Sequence, residues 1–227
     1  MSPPAFGRVL NMLRTSRRAS PECASQTPTF VPVNDSQATT SNDAQPEAFA
    51  RAVESMHMAK LRPEISLSTV RPPQRLAPFS HAIGLEVIRE ENDTQSGDAF
   101  GRLIVLHDPK SDDAWAGDMR MVAYIQADMD DALAGDPLLP NVAWQWLNEG
   151  LEEGAAEFRN LGGTVTSTAS ERFGDIGGPS RAFQLEMRAS WTATSEDLSP
   201  HVVAFSRVLA LFAGMPPEGV AALPKQL

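Results

Sequence analysis

Apolar positions along the chain recur at two periods, one near 3.6 residues and one of 2, and the switches between them mark out the elements. Pro46 opens a segment in which Phe49, Val53, Met56 and Ala59 keep helical spacing while Arg51, Glu54 and His57 fall on other faces, which predicts an amphipathic helix. Across 64–70, Ile65, Leu67 and Thr69 alternate with Ser66 and Ser68 until Pro72 and Pro73, the pattern of a short edge strand. Pro78 then stands ahead of Phe79, Ile83 and Val87, four residues apart, and the stripe predicts a second helix. Two apolar runs, 102–107 and 119–127, predict an antiparallel pair at the sheet centre.

The strongest helical pattern covers 140–158, with Trp144, Leu147, Leu151, Ala155 and Phe158 on one face. Leu139, Val142 and Trp146 form a second apolar stripe nearly opposite, and something must cover it. Gly162 and Gly163 read as the stop of this element, and 164–173 as a β-branched strand. In 183–191, Phe183, Leu185, Met187, Ala189 and Trp191 alternate with polar residues, so one face is core and one is wet. Ser199 as N-cap and Pro200 in the first turn open a last helix that is apolar through Phe212 and closed by Gly214, and 216–227 is a proline-punctuated tail. Helices and hairpins grouped in this way predict an α+β fold, an antiparallel sheet of four to five strands with helices packed on one face. Residues 20–45 are too poor in large apolar side chains to offset the entropy of ordering, so 1–45 is expected to be a disordered arm and linker, and 46–227 a single domain.

Composition narrows the function classes. A chain of 227 residues, 42% hydrophobic, supports one core of ordinary size. The single cysteine, Cys23, permits neither a disulfide framework nor a thiolate metal cage and fits a reducing, cytoplasmic setting. No apolar run is long enough to span a bilayer, and the first twenty residues have neither the long apolar stretch nor the cleavage site of a secretory signal. A net charge of −10 repels phosphate backbones, which argues against direct nucleic-acid binding.

Phosphate-cradling, nucleophile-elbow and zincin motifs are missing from the sequence, and no histidine has a second His or Cys at ligand spacing. The densest chemistry is the loop HDPKSDDAWAGD, where His107, Asp108, Asp112, Asp113 and Asp118 offer oxygen ligands and an imidazole to a hard cation. Its spacing is not that of a calcium loop, and aspartates are ordinary turn residues, so a solvated turn is the competing reading and the one favoured. His107 is either a strand-end residue bonded to a neighbour or a general base oriented by Asp118. Asp128, Asp130, Asp131 and Asp136 flank a turn where helix capping is the expected role. Trp115, Trp144 and Trp191 are candidates to line a ligand pocket between sheet and helices.

Five segments taken together, PPQRLAPFSHAIGLEV, GRLIVLHDPKSDDAWAGDMRMVAYIQADM, DPLLPNVAWQWLNEGLE, EMRASWTA and MPPEGVAALP, resemble the actinobacterial family catalogued as domain of unknown function three thousand. The resemblance runs from Pro46 to the C-terminus and implies a cytoplasmic bacterial protein, with no activity attached. The residues therefore point first to a non-enzymatic protein-interaction or regulatory module without a cofactor, docking another protein or itself through Leu139, Val142 and Trp146. The alternatives are a metal-dependent hydrolase of phosphate esters using the aspartate loop, or a small-ligand-binding domain using the tryptophans.

Overall fold

A computed structural model describes residues 45–88, 99–111, 115–175, 177–216 and 218; the expected arm, most of the C-terminal tail, and Asp112 and Asp113 lie outside the described residues. Helix α1 (Glu47–Met58) leads into four strands, β1 (Ile65–Val70), β2 (Phe79–Val87), β3 (Ala99–His107) and β4 (Met119–Met129). A single helical turn, α2 (Asp131–Ala134), and helix α3 (Leu139–Glu153) follow, then the hairpin of β5 (Phe158–Glu171) and β6 (Arg181–Ala193), and finally α4 (Ser199–Phe212). All pairings are antiparallel, and the strand order is β1-β2-β3-β4-β6-β5, a meander interrupted once where α3 carries the chain past β4 to the far edge.

The sheet has six strands, not four to five, and the one that sequence periodicity misses is β2. Phe79, Ile83 and Val87 are four residues apart, an interval close to one helical turn and also an even number of strand residues, so the same three side chains line one face of a strand. His81 and Leu85 fill the alternate positions between them, and that face is the one packed beneath the helices. The proposed cap and stop signals shift in the same manner. Gly162 and Gly163 lie inside β5, next to a bulge between Arg159 and Gly162, while α3 ends at Gly154 and Ala155 turns with φ 53°.

The N-cap of α4 is Leu198, not Ser199, and the side chain that bonds the helix start is Asp197 just before it: its Oδ1 accepts from the Ser199 backbone N–H at 2.9 Å and the Ser199 hydroxyl at 2.6 Å. These bonds from Ser199 hold the Asp197 carboxyl below the usual carboxylate range. Asp197→Ala is expected to lower stability by about 1 kcal/mol in urea unfolding, the usual cost of a lost cap, whereas Ser199→Ala, which keeps the backbone bond, costs less. Asp136 plays the comparable part before α3, accepting from the Leu138 N–H at 2.8 Å.

Helices α1, α3 and α4 all lie on one face of the sheet. Phe49, Ala52 and Met56 of α1, Leu147 and Leu151 of α3, and Val202, Phe205, Leu209 and Phe212 of α4 meet Leu103, Met121, Ile125, Met187 and Trp191 of the strands in one continuous core. Fully burying a side chain of the size of Phe205 contributes roughly 2–3 kcal/mol. The opposite face carries a smaller apolar cluster of Ala82, Ile104, Leu106, Val122 and Tyr124, roofed by Leu76, Ala77 and Trp115. Cover on both faces is why β3 and β4 read as nearly unbroken apolar runs. No helix among the described residues is long and apolar enough to cross a membrane.

Candidate functional site

The polar side chains of greatest density sit on the sheet face away from the helices. Strand alternation puts Arg120, Tyr124 and Gln126 of β4 beside Thr192, Arg188 and Glu186 of β6. The Tyr124 hydroxyl, on a residue only 1% exposed, lies 2.7 Å from Gln126 Oε1 and 2.8 Å from Glu186 Oε2. Arg188 pairs with Glu186 at 2.7 Å, and its guanidinium stands 5.8 Å over the Tyr124 ring. Arg120 donates to Thr192 Oγ1 at 2.9 Å, to the Asn160 carbonyl at 3.1 Å and to both oxygens of Ser190, and burial draws its pKa below the ordinary arginine value. The bonds from Arg120 and the one from Tyr124 to Glu186 cross between strands and hold the β4–β6 register, while Tyr124–Gln126 and Arg188–Glu186 stay within one strand.

The aspartate loop closes on its own backbone. The His107 ring is stacked on Phe49 at 5.6 Å, its Nδ1–H donates to the Asp118 carbonyl at 3.1 Å, and the Asp118 carboxylate is 3.8 Å away. Asp108 accepts from the Lys110 N–H at 2.9 Å, and the Ser111 hydroxyl donates to the Gly117 carbonyl. These are local side chain–backbone bonds of the kind that turns make. Among the described residues, no group of three or more His, Cys, Asp or Glu side chains converges in a metal-holding arrangement.

The three tryptophans do not all share one face of the sheet. Trp144 and Trp191 belong to the helix side of the sheet, and Trp115 packs on the opposite side, where its carbonyl accepts from Thr192 Oγ1. Trp191 Nε1–H donates to His201 Nδ1 at 3.0 Å, and both residues are fully buried. Because Nδ1 accepts, the imidazole proton is on Nε2, which is buried and has no hydrogen-bond partner among the described residues. Burial pushes the His201 pKa down to about 4, against a smaller upward pull from Asp197.

The second stripe of α3 is divided. Leu139 is buried, Trp146 meets Phe212 of α4 edge-on at 6.1 Å, and only Val142 is exposed, next to an exposed Leu138 one turn earlier. The cover comes from α4, whose packing the periodicity of α3 alone does not reveal. Trp144 lies close over Gly163 of β5, while Val142, about 200° round the helix from it, falls on the side that Trp146 turns towards α4. Beyond α3, that edge strand is exposed along most of its length.

Sequence reasoning also passed over a pair of histidines. His57 Nε2 in the last turn of α1 is 2.9 Å from His81 Nε2 on β2, with ring centroids 5.1 Å apart. The sequence signal was the alternation of β2, which sets His81 on the same face as Phe79 and Ile83, under α1. Burial, and then the neighbouring His57, hold the His81 pKa below its ordinary value.

A family model described as protein of unknown function (DUF3000) matches residues 45–221 of the chain. No curated protein and no solved structure matches it.

Proposed function

Because the chain belongs to this family of unknown function, DUF3000, we propose a reading from its own surfaces: it is a protein-interaction module that associates with a second copy of itself through the outer edge of β5, which pairs with no further strand among the described residues. The observation that carries the reading is the contrast between the two sheet edges. β1 has six residues, with Pro63 before it and Pro72 and Pro73 after it, which is how an edge is kept from pairing. β5 has fourteen, and 160–170 contains neither proline nor charge. A long, uncharged, exposed edge presents a row of backbone groups to another strand.

A second copy is the occupant that fits. Arg159 and Glu171 stand at opposite ends of the uncharged run, so antiparallel pairing of two β5 strands brings each arginine end against the other's glutamate end. A two-fold axis normal to the sheet also carries α3 of one copy towards α3 of the other, on the side of the helix where Trp144 stands over β5. Of the three residues on the second stripe, Leu139 is buried, Trp146 packs on α4 and Val142 lies on that same side of the helix, so the reading rests on the β5 edge alone.

The test is a charge swap. Sedimentation of the wild type is expected to give twice the 24.5 kDa chain mass. Thr166→Lys, an exposed change near the middle of the run, and Thr166→Glu are each expected to sediment as monomers, because each sets like charges near one another across the dyad. An equimolar mixture of the two is expected to recover the dimer. A wild type that stays monomeric, or a dimer indifferent to both charges, overturns the reading.

A further inference from the structure

We infer that His57 and His81 are the two protein ligands of a binding site for a divalent transition-metal ion of the Zn²⁺ class, which would fasten the end of α1 to β2. Two nitrogens bound to one ion at about 2.05 Å, with about 90–110° between the bonds, lie about 2.9–3.4 Å apart, and the two Nε2 atoms stand at 2.9 Å. They come from elements 24 residues apart that the core fixes independently: Phe49, Ala52 and Met56 seat α1, and β2 is hydrogen-bonded on both sides. At present the rings point at one another and one nitrogen must lend its proton to the other. His57 is exposed, so its ring can swing, and with the bridging proton passed through water to Nδ1 of the donor ring both Nε2 lone pairs can face one ion while water completes the coordination shell.

Imidazole selects the class of ion. Nitrogen ligands prefer Cu²⁺, Ni²⁺ and Zn²⁺ over Mg²⁺ and Ca²⁺, which require oxygen. The chain also makes the site easy to isolate. It has four histidines, and His107 and His201 are buried, so the pair holds the accessible imidazoles.

The experiment uses tag-free full-length protein carrying Cys23→Ser, which removes the one thiol that binds the same ions. Calorimetric titration with Zn²⁺ is expected to saturate at one ion per chain. Excess Zn²⁺ is expected to raise Tm by a few degrees, Cu²⁺ by more, and Mg²⁺ and Ca²⁺ not at all. In proton NMR the ring signals of two histidines are expected to move with Zn²⁺ while those of the two buried ones stay. His57→Ala, an exposed change that leaves the fold intact, is expected to abolish the heat, the Tm rise and the NMR shifts together. Absence of saturable binding in the parent protein, or binding unchanged in His57→Ala, overturns the assignment.

Discussion

Gly163→Ala is expected to lower the unfolding free energy by about 3 kcal/mol, at the upper end of what overpacking costs, while Gly162→Ala leaves it unchanged or raises it slightly. The two glycines are adjacent in β5 and differ in what surrounds them. A Cβ on Gly163 would stand 2.3 Å from the Arg188 carbonyl oxygen and 2.8 Å from Cζ3 of Trp144. The first of these is backbone, in the strand that β5 pairs with, so it cannot give way without opening the β5–β6 ladder. The second is a large ring wedged between α3 and the sheet. A Cβ on Gly162 meets nothing within 4 Å. Urea unfolding of the two variants and the wild type, with equal m-values, decides the matter. Equal stability of Gly163→Ala and Gly162→Ala would show that the close approach of α3 to β5 is not as described.

The same residue explains one failure of sequence reading. A Gly-Gly pair after a helical pattern is the usual sign of a helix end, and nothing local distinguishes it from a pair kept small because Trp144 lies on it from another element. The strands that were legible, β1, β3, β4, β6 and the latter part of β5, are those whose alternation or unbroken apolar run fits a strand alone. β2 was not, since its spacing of four satisfies helix and strand alike. The candidate sites divide along the same line. The aspartate loop was legible as a loop, but the bond from His107 to the backbone carbonyl of Asp118 joins residues eleven apart, which no local pattern encodes. The placement of Trp115 on the far side of the sheet from Trp191 depends on how that loop closes. The His57–His81 and Trp191–His201 contacts each join two elements, and no periodicity within one element encodes them.

His201 is expected to make the protein acid-sensitive at a pH well above the carboxylate range. Its folded pKa, about 4, is below its ordinary value of 6.5 because charging it would bury an unsolvated cation. The unfolded chain therefore takes up a proton that the folded chain refuses. Stability is complete above pH 6.5, declines as pH falls towards 4, and is flat with respect to this group below that. The full loss is about 3 kcal/mol, of which about 2 kcal/mol has gone by pH 5. Glu64, Glu196 and Asp197, whose pKa values are lowered by hydrogen bonds from Arg62, Arg51 and Ser199, add their losses below about pH 4.5, where carboxylates begin to protonate. His81 is also shifted downwards and contributes to the same limb as His201, so the informative quantity is the difference between the wild type and His201→Asn. Asparagine places Oδ1 where Nδ1 now accepts from Trp191, which preserves that bond and removes the titration. The variant is expected to be less stable than the wild type at pH 7.5, having lost ring packing, yet to lose about 2 kcal/mol less between pH 7.5 and pH 5 in urea unfolding. Parallel curves for the two proteins would mean that His201 binds its proton in the folded state as readily as in the unfolded one, and that the bond from Trp191 does not hold it neutral.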